Sequence, residues 1–146
     1  MPLAPLLLSD NPVLLGQYST GASASPGAAE GNPSFVLLAD IESWLATNLF
    51  YSPPSFAHNY LALVSQGVSA TFTLDGAPID AAHFPGLSSR SLNQAFIEFV
   101  VPVGGGSHSV SSNATFGTTI YGYDLGAAYN CSGGRDLARW QIRPGE

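Results

Sequence analysis

Three histidines, ten carboxylates, a single cysteine and six tyrosines are the residues of this 146-residue chain with chemistry within their reach. His58, His83 and His108 are spread through the sequence, each near Ser or Asp. A Ser-His-Asp set picked from so many serines would be a coincidence of composition. All three read as structural or exposed, with the imidazole of His108, in Gly106–Val110 (GSHSV), hydrogen-bonding a neighbouring strand or loop. Asp40 and Glu42 sit at alternate positions and would share one side of an extended segment. Calcium wants more oxygens than that pair supplies, and no Asp-rich, Gly-containing calcium loop is present, so the pair reads as solvated. G-x-S-x-G, H-E-x-x-H, a phosphate loop and a dinucleotide fingerprint are absent. No catalytic residue, no metal site and no cofactor is expected. Cys131 can form no intrachain disulfide. It reads as a small half-buried hydrophobe, the alternative being a bridge to another chain or to a removed segment.

Aromatic residues are better placed for recognition than these groups are for catalysis. Trp44, Tyr51, Tyr121, Tyr123 and Tyr129 fall near expected strand ends or loops, where a ring makes broad contact at small entropic cost. Most suit core packing. Tyr123 and Tyr129 are the preferred exposed candidates because Gly122, Gly126 and Gly133 interrupt their surroundings. The candidate ligand-binding set is Tyr123, Asp124, Tyr129 and Trp44. Asn113-Ala114-Thr115 and Asn130-Cys131-Ser132 match the glycosylation sequon.

These residues must be held by sheet. With 45% hydrophobic, 11% aromatic and 10% charged residues, the chain is too apolar for disorder and too poor in charge for a long helical bundle. Net charge is −6 and the four cations are all arginine, Arg90, Arg135, Arg139 and Arg143. A surface able to neutralise phosphates is therefore missing, which argues against nucleic acid. Scarce Lys and Glu with abundant Ser, Thr, Gly and Asn favour an extracellular or cell-surface location. No stretch approaches the ~20 apolar residues of a spanning helix, so no transmembrane segment is expected. The opening MPLAPLLLSDNP lacks a basic n-region and is no signal peptide. Residues 1–12 read as an N-terminal extension or an artificial boundary, and 13–146 as a single β-sandwich domain.

Short apolar runs between turn signals predict strands at 13–18, 34–39, 45–51, 59–66, 68–75, 95–103, 107–112 and 115–123. Val68 to Asp75 alternates, with Val68, Ala70, Phe72 and Leu74 on one face. Asp75-Gly76-Ala77-Pro78 is turn chemistry, and Ser112-Asn113 is taken as a joint between two strands. Helix is confined to one turn within Asp40–Leu45, capped by Asp40. The loops about 19–33 and 124–134 are the expected contact surfaces. The expected fold is all-β, an antiparallel β-sandwich of about eight short strands with long loops.

LLGQY at Leu14–Tyr18, GNPSF at Gly31–Phe35, NLFYSPPSFAHNYLALV at Asn48–Val64, LDGAPI at Leu74–Ile79 and GSHSVSSNATFGTTIYGYDLGAAYNCSGG at Gly106–Gly134 occur in the order of the IgGFc-binding protein N-terminal domain family, which the sequence resembles. The resemblance runs from about Leu14 to about Gly134 and is to the C-terminal portion of that domain. It implies an extracellular β module, and for one mammalian member an antibody-Fc ligand. The expected function is a non-catalytic adhesion or recognition module whose partner is a protein or glycan ligand at a surface. The alternative is a structural subunit of a self-assembling surface filament or layer, with copies of itself as partner through edge strands or the apolar MPLAPLLL.

Overall fold

The computed structural model describes residues 7–11, 13–22, 30–67, 69–92 and 95–137. Ten strands follow in chain order: β1 Gly16–Ser19, β2 Ser34–Leu37, β3 Leu45–Ser52, β4 His58–Gln66, β5 Phe72–Leu74, β6 Ala77–Pro78, β7 Ser88–Ser91, β8 Phe96–Val103, β9 Gly106–Asp124 and β10 Ala127–Ser132. Every pairing is antiparallel. The fold is all-β, as expected, with β1 and β2 forming a ribbon and the other eight strands one curled sheet.

The long strand β9 organises that sheet. Its first half pairs with β3 through Ser107↔Tyr51 and Ser111↔Thr47, and with β5 through Val110↔Leu74. Its second half pairs with β4 through Ile120↔Leu61 and with β10 through Tyr121↔Asn130. Beyond β4 lie β8 and then β7. The sheet curls so that the two halves face each other. Leu61 and Leu63 of β4, Val101 of β8, and Phe116 and Ile120 of β9 share one buried cluster with Phe72 and Leu74 of β5 and Val110 of β9. Phe72 lies 5.2 Å from Phe116, edge to face, and 5.4 Å from Phe99. Burying these side chains contributes ~1.5–3 kcal/mol apiece, which is the main force closing the sandwich.

Local chemistry explains the turns. Asp75 (φ 53°) and Gly76 (φ 84°) occupy the left-handed region between paired Leu74 and Ala77, a hairpin geometry that Asp-Gly favours. Asp40 caps one turn of 3-10 helix, Ile41–Ser43, its Oδ1 accepting from Ser43 N at 2.9 Å. Asp40 and Glu42 are therefore not an extended pair.

Several other expectations are corrected. Ser112-Asn113 is not a joint, and β9 runs through it, because Asn113 Oδ1 accepts from Thr71 N (2.9 Å) and ties the strand to the approach of β5. Residues 124–134 are not a loop but a tight Leu125-Gly126 turn followed by β10. Strands β6 and β7, unforeseen, carry no apolar run and exist as edges of stronger neighbours. The strand expected at 68–75 shortens to Phe72–Leu74, and Val68 lies outside the described residues, as do 23–29 of the long loop. Cys131, expected half-buried, is exposed on the edge strand β10. Tyr123 and Tyr129, preferred as exposed, are half-buried.

Candidate functional site

Strand alternation gives the second half of the sheet two faces. Opposite the core-facing Leu61 and Leu63, strand β4 presents Tyr60, Ala62 and Val64, with Val100 of β8 across from Ala62 and Tyr121 of β9 across from Tyr60. This outer face is half-buried where a plain sandwich would leave it wet. The β1–β2 ribbon lies against it, anchored by Asn130 Nδ2 donating to Ser19 Oγ (3.4 Å), Gly31 N to Asp124 O (2.9 Å) and Arg135 Nη2 to Leu37 O (2.7 Å).

Between ribbon and sheet runs a groove of about 1160 Å³, walled by Leu15, Tyr18, Leu38 and Trp44 and floored by Ala62, Val64, Val100 and Tyr121. A smaller hollow of about 460 Å³ shares Ser19 and Tyr121 with it and continues to Glu30 and Tyr123. An Arg90–Glu98 ion pair stands near one end, and His58 Nε2 meets Glu30 Oε2 at 3.1 Å near the other. Polar side chains, among them Gln17, Ser88, Ser89, Thr119 and Asn130, also line the groove. A concave site that combines apolar surface with polar groups is the usual form of a ligand site.

Two aromatic devices shape it. The Trp44 indole lies over Gly117, where a Cβ would come within 2.8 Å of the ring; its Nε1 donates to Ala39 O (3.4 Å) and its edge meets Phe96 at 6.3 Å. Tyr60 stacks on Tyr121 (5.3 Å, 19°) and on Tyr123 (5.7 Å, 20°), and His58 packs on Tyr123 at 5.0 Å. The Tyr60 and Tyr123 hydroxyls meet at 3.3 Å. That hydrogen bond, followed by burial and the nearby Tyr60, Tyr121 and Glu30 groups, pushes Tyr123 up to about 12, while burial first of all raises Tyr121. At neutral pH the Tyr121 and Tyr123 hydroxyls are therefore uncharged and suited to hydrogen-bonding a ligand.

The four sequence candidates separate. Trp44 lines the larger cavity, and Tyr123 and Tyr129 the smaller. The Tyr129 ring also packs against the core, edge-on to Phe56 at 4.9 Å, and its hydroxyl donates to Asn59 Oδ1 at 2.7 Å. Asp124 has a structural role, accepting from Leu125 N (2.7 Å) and Ala57 N (3.4 Å). Sequence reasoning missed Tyr18, Leu15 and Leu38 as walls and Tyr60 as the centre of the tyrosine stack. The one signal available for Tyr60 was its alternation with Leu61 and Leu63.

Each histidine is paired with a carboxylate: His58 with Glu30, His83 Nδ1 with Asp80 Oδ1 (2.8 Å), and His108 Nδ1 with Asp75 Oδ2 (2.7 Å). His108 Nε2 also faces Gly104 O at 3.1 Å, so neither ring nitrogen is open to a nucleophile's proton. Burial works to raise the Asp75 carboxyl, but the hydrogen bonds from His108 and Ser109 N outweigh it and hold Asp75 below its ordinary range.

Residues 2–122 match the model of the family described as IgGFc binding protein, a span that holds β1 to β8 and almost all of β9. The chain belongs to the IgGFc-binding family. Membership places it among extracellular-type binding modules, a non-enzymatic class. No curated protein and no solved structure matches it. The IgGFc-binding match takes in both walls of the groove and its floor residues Ala62, Val64, Val100 and Tyr121. Among the described residues no helix is long and apolar enough to cross a membrane.

Proposed function

We propose that this chain is a non-catalytic extracellular recognition module that holds a protein or glycan ligand in the groove between the β1–β2 ribbon and the outer face of β4, β8 and β9. The observation that carries this reading is the groove itself. Its apolar floor and the rings of Tyr18, Trp44 and Tyr121 offer contact area, and the Tyr60–Tyr123 hydroxyl pair and Glu30 offer hydrogen bonds nearby. Aromatic rings with neutral hydroxyls suit both sugar faces and extended peptide, and the family's description makes an antibody Fc fragment the first protein ligand to try.

Trp44 is a built-in reporter. The chain has two tryptophans, Trp44 and Trp140, so a Trp140→Phe variant isolates its fluorescence. Titration of that variant with Fc fragment and with the members of a glycan panel should give a saturable change for one ligand, abolished by Tyr121→Ala. Saturable binding that leaves Trp44 emission unchanged and survives Tyr121→Ala would place the site elsewhere and reject the groove.

A further inference from the structure

Among the described residues the sheet has four strands at its margins, and three are blunted. Strand β6 is two residues long and contains Pro78. Strand β7 carries Arg90, ion-paired to Glu98. Strand β10 packs alongside the β1–β2 ribbon through Asn130 and Ser19. Strand β3 has no such protection: among the described residues it pairs with β9 alone, and its eight residues, LATNLFYS, contain no charge and no proline. Natural sheets generally guard a long edge with charge, proline or a cover, because open N–H and C=O groups recruit another strand.

Side chains on β3 point the same way. Leu49 and Tyr51 project outward at 77% and 60% exposure, beside only the small Ser107 and Ser109 of β9. On the opposite side Asn48 and Ser52 are buried within the protein, Asn48 Nδ2 donating to Thr118 Oγ1 at 3.3 Å, and take no part in the edge. The segment after β10 comes close to the start of β3, with Asp136 N donating to Ser43 O (2.9 Å) and Gly134 beside Asn48, so the open stretch is the later part, from Leu49 to Tyr51.

We infer that β3 is a self-association edge that pairs antiparallel with β3 of a second copy about a two-fold axis at Phe50. In that register Leu49 of each copy faces Tyr51 of the other, an aliphatic–aromatic cross-strand pair made twice. The partner is a second copy because the edge is complementary to itself in hydrogen bonds and in this side-chain order, and because none of the chain's net charge of −6 falls on it. This surface is separate from the ligand groove and is independent of the reading proposed for it.

Sedimentation of the full chain across a concentration series tests the inference. Wild type should pass from monomer to dimer as concentration rises. Leu49→Lys, on a side chain with room in the monomer, should weaken association by about tenfold or more, and Tyr51→Lys should do the same, each with an unchanged circular dichroism spectrum. Tyr121→Ala, in the groove, should leave association intact. A wild-type monomer at every concentration would overturn the inference, as would both lysine variants associating like wild type, or a dimer lost in Tyr121→Ala.

Discussion

The two halves of β9 lie in one continuous strand and end up with opposite surfaces. From Gly106 to Ser112 its outward positions are the small Ser107 and Ser109, both exposed, and Ser111, half-buried with its Oγ 2.7 Å from the Thr73 hydroxyl. From Phe116 to Asp124 the outward positions are Gly117, Thr119, Tyr121 and Tyr123, covered by the β1–β2 ribbon and hollowed into the groove. Both halves bury the same inward alternation, Val110 on one side and Phe116 and Ile120 on the other. The inward residues thus build the scaffold and the outward residues decide the surface of each half: a plain wall in the first, the groove proposed for a ligand in the second.

The largest expected effect erases the difference between the halves. Leu61, fully buried between them, should cost ~2–5 kcal/mol on replacement by Ala, and denaturant unfolding should remain a single transition if one core serves both. Next comes Gly122→Ala, which strikes the grooved half alone. A Cβ there would lie 2.4 Å from the Tyr129 ring and 2.6 Å from His58 O, an overpacking worth ~1–3 kcal/mol or more and visible as a lowered melting temperature.

The plain half has its own polar anchor, and His108→Ala should cost ~1–2 kcal/mol. Asp75, with its pKa lowered in the fold, contributes stability present above its ordinary value of 3.8 and lost as pH falls through the lower folded value. Removing His108 should therefore flatten the acid limb of the stability-against-pH curve. The smallest effect belongs to Tyr60→Phe, which keeps the ring stack and removes the hydroxyl pair. Tyr123, pushed up to about 12, favours folding while it stays protonated, so that contribution is lost as pH rises from about 10 through about 12. In Tyr60→Phe the ultraviolet titration of Tyr123 should move down toward 10; an unmoved titration would show that the hydroxyl contact is not the cause.

Much of the scaffold was legible in the sequence for local reasons. The alternation that buries Phe72 and Leu74, the Asp75-Gly76 reversal and the Asp40 cap each depend on neighbouring residues only. What escaped depends on distant partners. Ser112-Asn113 has turn chemistry, yet Asn113 is held straight by Thr71, more than forty residues earlier. Ser88–Ser91 has no apolar period and becomes a strand because β8 offers it an edge. The groove was legible only in fragments. Trp44 and Tyr123 were picked out for being aromatic, but their place on opposite stretches of one channel follows from the register of β4 on β9 and from a ribbon whose docking no local pattern encodes.

Hydrogen exchange on the full chain, with and without the first ligand found to bind, tests the groove most directly. Protection gained in Tyr60–Val64, Glu98–Val100 and Gly117–Tyr123, with Gly106–Ser112 unchanged, is the result expected of a ligand seated between ribbon and sheet. Protection confined to β3, β5 and the first half of β9 would contradict it and move recognition to the plain wall.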